Sequence, residues 1–63
     1  MTQVQAQWAA THDWYIRAEY EAVGVRGYVV EACTTVYDSN GDVDHIDAII
    51  TADIDELREW AGY

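Results

Sequence analysis

The stretch Tyr28–Ile50, YVVEACTTVYDSNGDVDHIDAII, decides the fold. Two runs rich in β-branched and aromatic residues flank the turn signal Asp38-Ser39-Asn40-Gly41, so the stretch reads as a long β-hairpin. Parity selects its register. A two-residue Asn40-Gly41 loop pairs Val36 with His45 and Thr34 with Asp47, and scatters Ile46, Ala48 and Ile50 away from the face of Val30 and Val36. A three-residue loop uses a type I turn over Ser39-Asn40, with Gly41 left-handed as a bulge. It pairs Asp38 with Asp42, Thr34 with Ile46, Ala32 with Ala48 and Val30 with Ile50. All the apolar residues then share one face. A one-residue slip moves every side chain to the other face, so the second register is expected.

Upstream, residues 14–22 (WYIRAEYEA) alternate, with Trp14, Ile16, Ala18, Tyr20 and Ala22 on one side. This is the pattern of a half-buried antiparallel strand. Pairing Ala22 with Arg26 across the next turn sets Tyr20 opposite Tyr28, Ala18 opposite Val30 and Ile16 opposite Ala32. It also sets Arg17 opposite Glu31, a cross-strand ion pair. Downstream, Asp53-Ile54-Asp55-Glu56 is a capping-box-like helix start, and Ile54, Leu57, Trp60 and Ala61 recur at helical spacing before Gly62. Acids in that first turn suit the positive end of the helix dipole.

The N-terminus reads two ways. Val4, Ala6 and Trp8 alternate strictly with glutamines, which favours a fourth strand, while Val4 and Trp8 also stand at i, i+4 as in a short helix. The expected fold is therefore α+β: an antiparallel β-meander of three or four strands, with a C-terminal helix packed on one face. Residues 1–63 make one small acidic domain.

Such a chain buries only ~60% of the surface its unfolded form exposes, and its core supplies no more than about 3–5 kcal/mol of net stability. Cys33 is the only cysteine, so no disulfide staples the chain. A single thiol reads as a half-buried hydrophobe in a reducing compartment. His12 and His45 lack a Cys or His at ligand spacing, and no metal or other cofactor is expected. The start MTQVQAQWAATHD has no basic and apolar regions of a signal peptide, and no apolar run approaches the ~20 residues of a membrane span. A cytoplasmic location is expected.

Asp38, Asn40 and Asp42 stand at positions 1, 3 and 5 of a calcium-loop pattern. Val43 then replaces the sharp-turn glycine and Ile49 the bidentate carboxylate, so a hairpin turn is the better reading. His45 lies near Asp44 and Asp47, but Asp44 is expected on the opposite face, and Cys33 is only a cross-strand neighbour of Asp47. No nucleophilic set forms, and enzymatic activity is not expected. The three tryptophans, Trp8, Trp14 and Trp60, read as core-facing. A base-stacking platform would need a basic surround.

Charge is the extreme property: twelve Asp and Glu face three Lys or Arg, for a formal net charge of −9. Residues 38–63 carry most of it, with eight acids against Arg58 alone. Phosphate and anionic-lipid contacts are disfavoured, and a basic partner is attracted. In size, acidity and lack of catalytic motifs the chain resembles the small acidic phage-encoded anti-CRISPR and anti-restriction proteins. That resemblance implies a DNA mimic that binds a CRISPR effector or restriction enzyme in the host bacterial cytoplasm and blocks DNA recognition. The residues expected to touch this partner are Asp38, Asp42, Asp44, Asp47, Asp55, Glu56 and Glu59. Two other readings are a homodimeric interaction module, using an outer face of Val29, Cys33, Tyr37, Val43 and Ile49, and a protein adapted to high salt.

Overall fold

Two α-helices and three strands follow one another: α1 (Gln3–Ala10), β1 (Tyr15–Tyr20), β2 (Tyr28–Tyr37), β3 (Val43–Thr51) and α2 (Ile54–Ala61), with a short 3-10 turn between β1 and β2. The computed structural model describes residues 1–63, the side chain of Val23 excepted. The strands form an antiparallel meander in the order β1-β2-β3, and the fold is α+β with a C-terminal helix.

The first hairpin keeps most of its expected register: Tyr20 faces Tyr28, Ala18 faces Val30 and Arg17 faces Glu31. At its far end Tyr15, not Ile16, faces Ala32, because Ile16 is an extra bulge residue and is 48% exposed. The expected Ala22–Arg26 pair gives way to a 3-10 turn over Ala22–Gly24, and the Glu21 N–H donates to the Gly27 carbonyl at 2.7 Å.

The second hairpin departs further. Its turn is the expected three-residue loop: the Asp38 N–H donates to the Asp42 carbonyl at 2.8 Å, and Gly41 has φ 83°. Tyr37 faces Val43, but an extra residue, Asp44, then enters β3. Beyond it Val36 faces His45, Thr34 faces Asp47, Ala32 faces Ile49 and Val30 faces Thr51. The expected pairs of Thr34 with Ile46, Ala32 with Ala48 and Val30 with Ile50 are therefore wrong by one residue. A second bulge restores the parity that the loop had changed, and every later side chain changes face. Ile49 and Thr51 turn inward, while Ile46, Ala48 and Ile50 turn outward.

The N-terminus is a helix rather than a fourth strand. Thr2 Oγ1 accepts from the Gln5 N–H at 3.2 Å, and Gln5 Oε1 accepts from the Thr2 N–H at 2.9 Å, a reciprocal capping box. Capping outweighs the alternation, since Ala6 and Ala9 can then bury against the sheet. The Met1 ammonium donates to the carbonyls of Tyr28 (2.8 Å) and Ala52 (2.7 Å), and Met1 O accepts from the Tyr28 N–H at 2.8 Å. Met1 thus straps β2 to the β3–α2 junction.

Asp53 caps α2 by accepting from the Asp55 N–H at 2.9 Å, while its own N–H goes to Thr51 Oγ1 at 3.0 Å rather than to Glu56. Asp53→Ala is expected to cost about 1 kcal/mol, read as a lower urea midpoint with an unchanged slope.

The core is small. Among the described residues, Ala6, Ala9, Val30, Ala32 and Leu57 are its buried apolar side chains, and only Leu57 and Val30 among them are large. Trp8, Trp14 and Trp60 pack against it from the rim, half-buried. There His12 stacks on Trp14 with ring centroids 4.6 Å apart, and Trp8 and Tyr63 meet it edge-on. The helices cover one end of the sheet, where Thr51 is buried and Ile49 half-buried. Residues 38–48 are exposed throughout, so the hairpin projects as a prong from a molecule 42 × 22 × 16 Å in extent.

Candidate functional site

The acidic residues occupy the prong and the helix behind it. Asp38 starts the turn and also holds it, since its Oδ1 accepts from the N–H groups of Asn40 (2.9 Å) and Asp42 (3.0 Å). Asp42 closes the turn, Asp44 is the bulge residue, and Asp47 lies opposite Thr34 on the helix-bearing face, beyond the reach of either helix. Asp55 and Glu56 stand in the first turn of α2, and Glu59 on its exposed side. All seven are exposed. Because α2 packs on β3, these residues run from the prong tip along β3 to the C-terminal helix. The bulge breaks the even i, i+2 spacing that a regular strand would give Asp42 and Asp44.

Counter-charge is distributed unequally. Arg17 pairs with Glu31 at 2.8 Å and with Glu19 at 3.6 Å, both on β1 and β2. The Glu31 hydrogen bond foremost, then the charges of Glu19 and Glu31, hold its guanidinium above the usual range. Among the described residues, no Arg or Lys lies within 4.0 Å of an acid in residues 38–63. Their field reaches solvent with little local neutralisation, screened only by salt over about 8–10 Å.

One expectation about His45 is corrected. The bulge brings Asp44 to the imidazole, with Oδ2 at 2.7 Å from Nδ1, instead of sending it to the opposite face. Cys33 faces Ala48, not Asp47, and stands on the opposite side of the sheet from His45 and Asp47. Thiol and imidazole therefore do not form a set. Among the described residues, no three His, Cys, Asp or Glu side chains gather in a metal-holding group. An open groove of about 560 Å³ runs between the helices, with Val4, Trp8, Ile54, Asp55, Arg58 and Tyr63 in its walls.

The flipped register keeps Cys33, Tyr37 and Val43 on the expected outer face and adds Ile46, Ala48 and Ile50, which sequence reasoning placed inside. On the side away from the helices, Glu31 faces Ile50, Cys33 faces Ala48, Thr35 faces Ile46 and Tyr37 faces Val43. Ile46 is 66% exposed, Ile50 69%, Tyr37 62% and Val43 60%. Ile49, expected on this outer face, packs against the core instead. The signal was present in β3, where Ile46, Ala48 and Ile50 alternate with His45, Asp47 and Ile49. It was misread by assuming that the more apolar side must face the chain's own core.

No described helix is long and apolar enough to cross a membrane. No protein-family model matches the chain, and no curated protein or solved structure does so either.

Proposed function

We propose that the chain is a non-enzymatic inhibitor of the anti-CRISPR or anti-restriction type. It binds a basic nucleic-acid-binding protein through Asp42, Asp44, Asp47, Asp55, Glu56 and Glu59 and occupies the place of DNA. One observation carries this reading: the acids of residues 38–63 are exposed, concentrated on the prong and α2, and free of Arg or Lys partners among the described residues. Such a surface attracts and steers a cationic groove, and it repels nucleic acid itself. Asp38 serves the binding surface indirectly, by holding the turn that presents Asp42.

The test is competition. Purified CRISPR effector complexes and restriction enzymes are mixed with labelled DNA, and the chain is titrated in at several salt concentrations. The native chain is expected to displace DNA from its target, less effectively as salt rises. Asp42→Lys, Asp44→Lys and Asp47→Lys together are expected to weaken displacement by at least ~100-fold, since close charge pairs across an interface couple by about 1.5–7 kcal/mol. These exposed changes leave the fold within about 0.5 kcal/mol each. Displacement that survived the triple reversal unchanged would falsify the acidic contact.

A further inference from the structure

We infer that the outer face of the sheet is a self-association surface, closed by a second copy of this chain in a face-to-face dimer. Three independent features meet there.

The first is the alternation of β3. A sheet with one covered side is apolar on that side and polar on the other. Towards the prong, the inner side carries Thr34, His45 and Asp47 with one apolar residue, Val36, and the outer side carries Cys33, Ile46, Ala48 and Ile50 with one polar residue, Thr35. Only the end of the sheet beneath the helices follows the opposite rule. The prong is patterned for cover on its outer side.

The second is charge. In a chain with twelve acids, those registered on the outer face are Glu19 and Glu31, and both engage Arg17. Stacking two copies through this face directs the prong and α2 acids away from the contact, where salt screens them. Edge-to-edge pairing of β3 does the reverse. Full antiparallel overlap of residues 43–51 sets Asp47 opposite Asp47 of the second copy, and the Asp44 bulge distorts that edge.

The third is area. The chain exposes 4473 Å² at 7.2 kDa, against about 4,100 Å² for a typical folded monomer of that mass. Three strands of up to ten residues present a face of roughly 30 × 15 Å. Two such faces bury on the order of 1,000 Å², the threshold of a specific interface. A core with two large buried side chains among the described residues gains most from a second copy, which is present wherever the chain itself accumulates. Packed sheets would sit about 10 Å apart, with Ile46, Ile50 and Tyr37 interdigitating.

The test reads mass, stability and the accessibility of Cys33. Sedimentation at ~5 to ~500 µM is expected to show conversion from the chain mass to twice that value, with an unfolding midpoint that rises with concentration. The Cys33 thiol, on the outer face, is expected to react more slowly with a thiol reagent as the dimer forms. Ile46→Ser with Ile50→Ser is expected to keep the chain monomeric and Cys33 reactive at every concentration. Should that variant fail to fold, the thiol measurement on the native chain decides alone. A native chain that stays monomeric throughout, or a dimer in which Cys33 reactivity is unchanged, overturns the inference. Salt separates this surface from the acidic one: self-association tightens as salt rises, whereas binding to a basic partner weakens.

Discussion

Gly27→Ala is expected to leave most of the chain unfolded at 25 °C. Gly27 sits at φ 80°, and a Cβ there would lie 2.6 Å from the Met1 carbonyl oxygen. The left-handed backbone alone costs an L-residue about 1–2 kcal/mol. The Met1 contact adds a larger penalty, because the obstacle is backbone and cannot rotate aside. Its position is set by the Met1 ammonium bonds to Tyr28 O and Ala52 O and by the Tyr28 N–H bond to Met1 O. Relief of the clash must break that strap. A total loss of about 3 kcal/mol or more is comparable to the whole net stability of so small a core.

Gly24→Ala is the control. Its φ is 76°, yet nothing lies within 4 Å of the added Cβ. It bears the backbone cost without the clash, so it should remain folded with a loss of about 1 kcal/mol. Urea titration followed by tryptophan fluorescence and circular dichroism measures both. Equal losses at the two glycines would show that Met1 does not close over Gly27.

Much of the frame was legible because local signals agreed with one another. Strand β2, the Tyr20–Tyr28, Ala18–Val30 and Arg17–Glu31 pairs, the Gly41 turn and the α2 start at Asp53 each rest on a turn, cap or alternation rule. Where two rules competed, sequence reasoning chose the wrong one. At the N-terminus, Val4, Ala6 and Trp8 alternate as a strand would, but Thr2 and Gln5 spell a capping box, and the local hydrogen bonds prevailed. In β3 the loop rule was right and the register beyond it was not, because no residue type announces the bulge at Asp44.

That second failure has a physical meaning for the site. Parity selects the register that gathers Ile46, Ala48 and Ile50 on one face only if the chain has a single core. The chain instead divides its apolar residues between a small core under the helices and the open face of the prong. The acids expected at the site were legible individually, and all seven are exposed. Their grouping was not, because it depends on α2 packing over β3 and on the bulge joining Asp44 to His45.

Leu57→Ala tests that division from the side of the core. Leu57 is 0% exposed, and among the described residues it and Val30 are the largest fully buried side chains. It joins α2 to the cluster that includes Ala6, Ala9, Val30 and Ala32. Truncation removes the packing and leaves a cavity between elements that are strapped at Met1 and cannot fully collapse. The expected loss is about 3–5 kcal/mol, enough to unfold the monomer, whereas Leu57→Met keeps the volume and should cost less than about 1.5 kcal/mol. Association through the outer face adds stability by mass action, so Leu57→Ala should recover folded structure as its concentration rises. The same substitution combined with Ile46→Ser and Ile50→Ser should not recover. Circular dichroism across a hundredfold range of concentration reads both outcomes. A Leu57→Ala chain that loses less than ~1 kcal/mol when dilute would mean that the fold is not organised on this side chain. Recovery in the triple variant would mean that something other than the outer face supplies the missing stability.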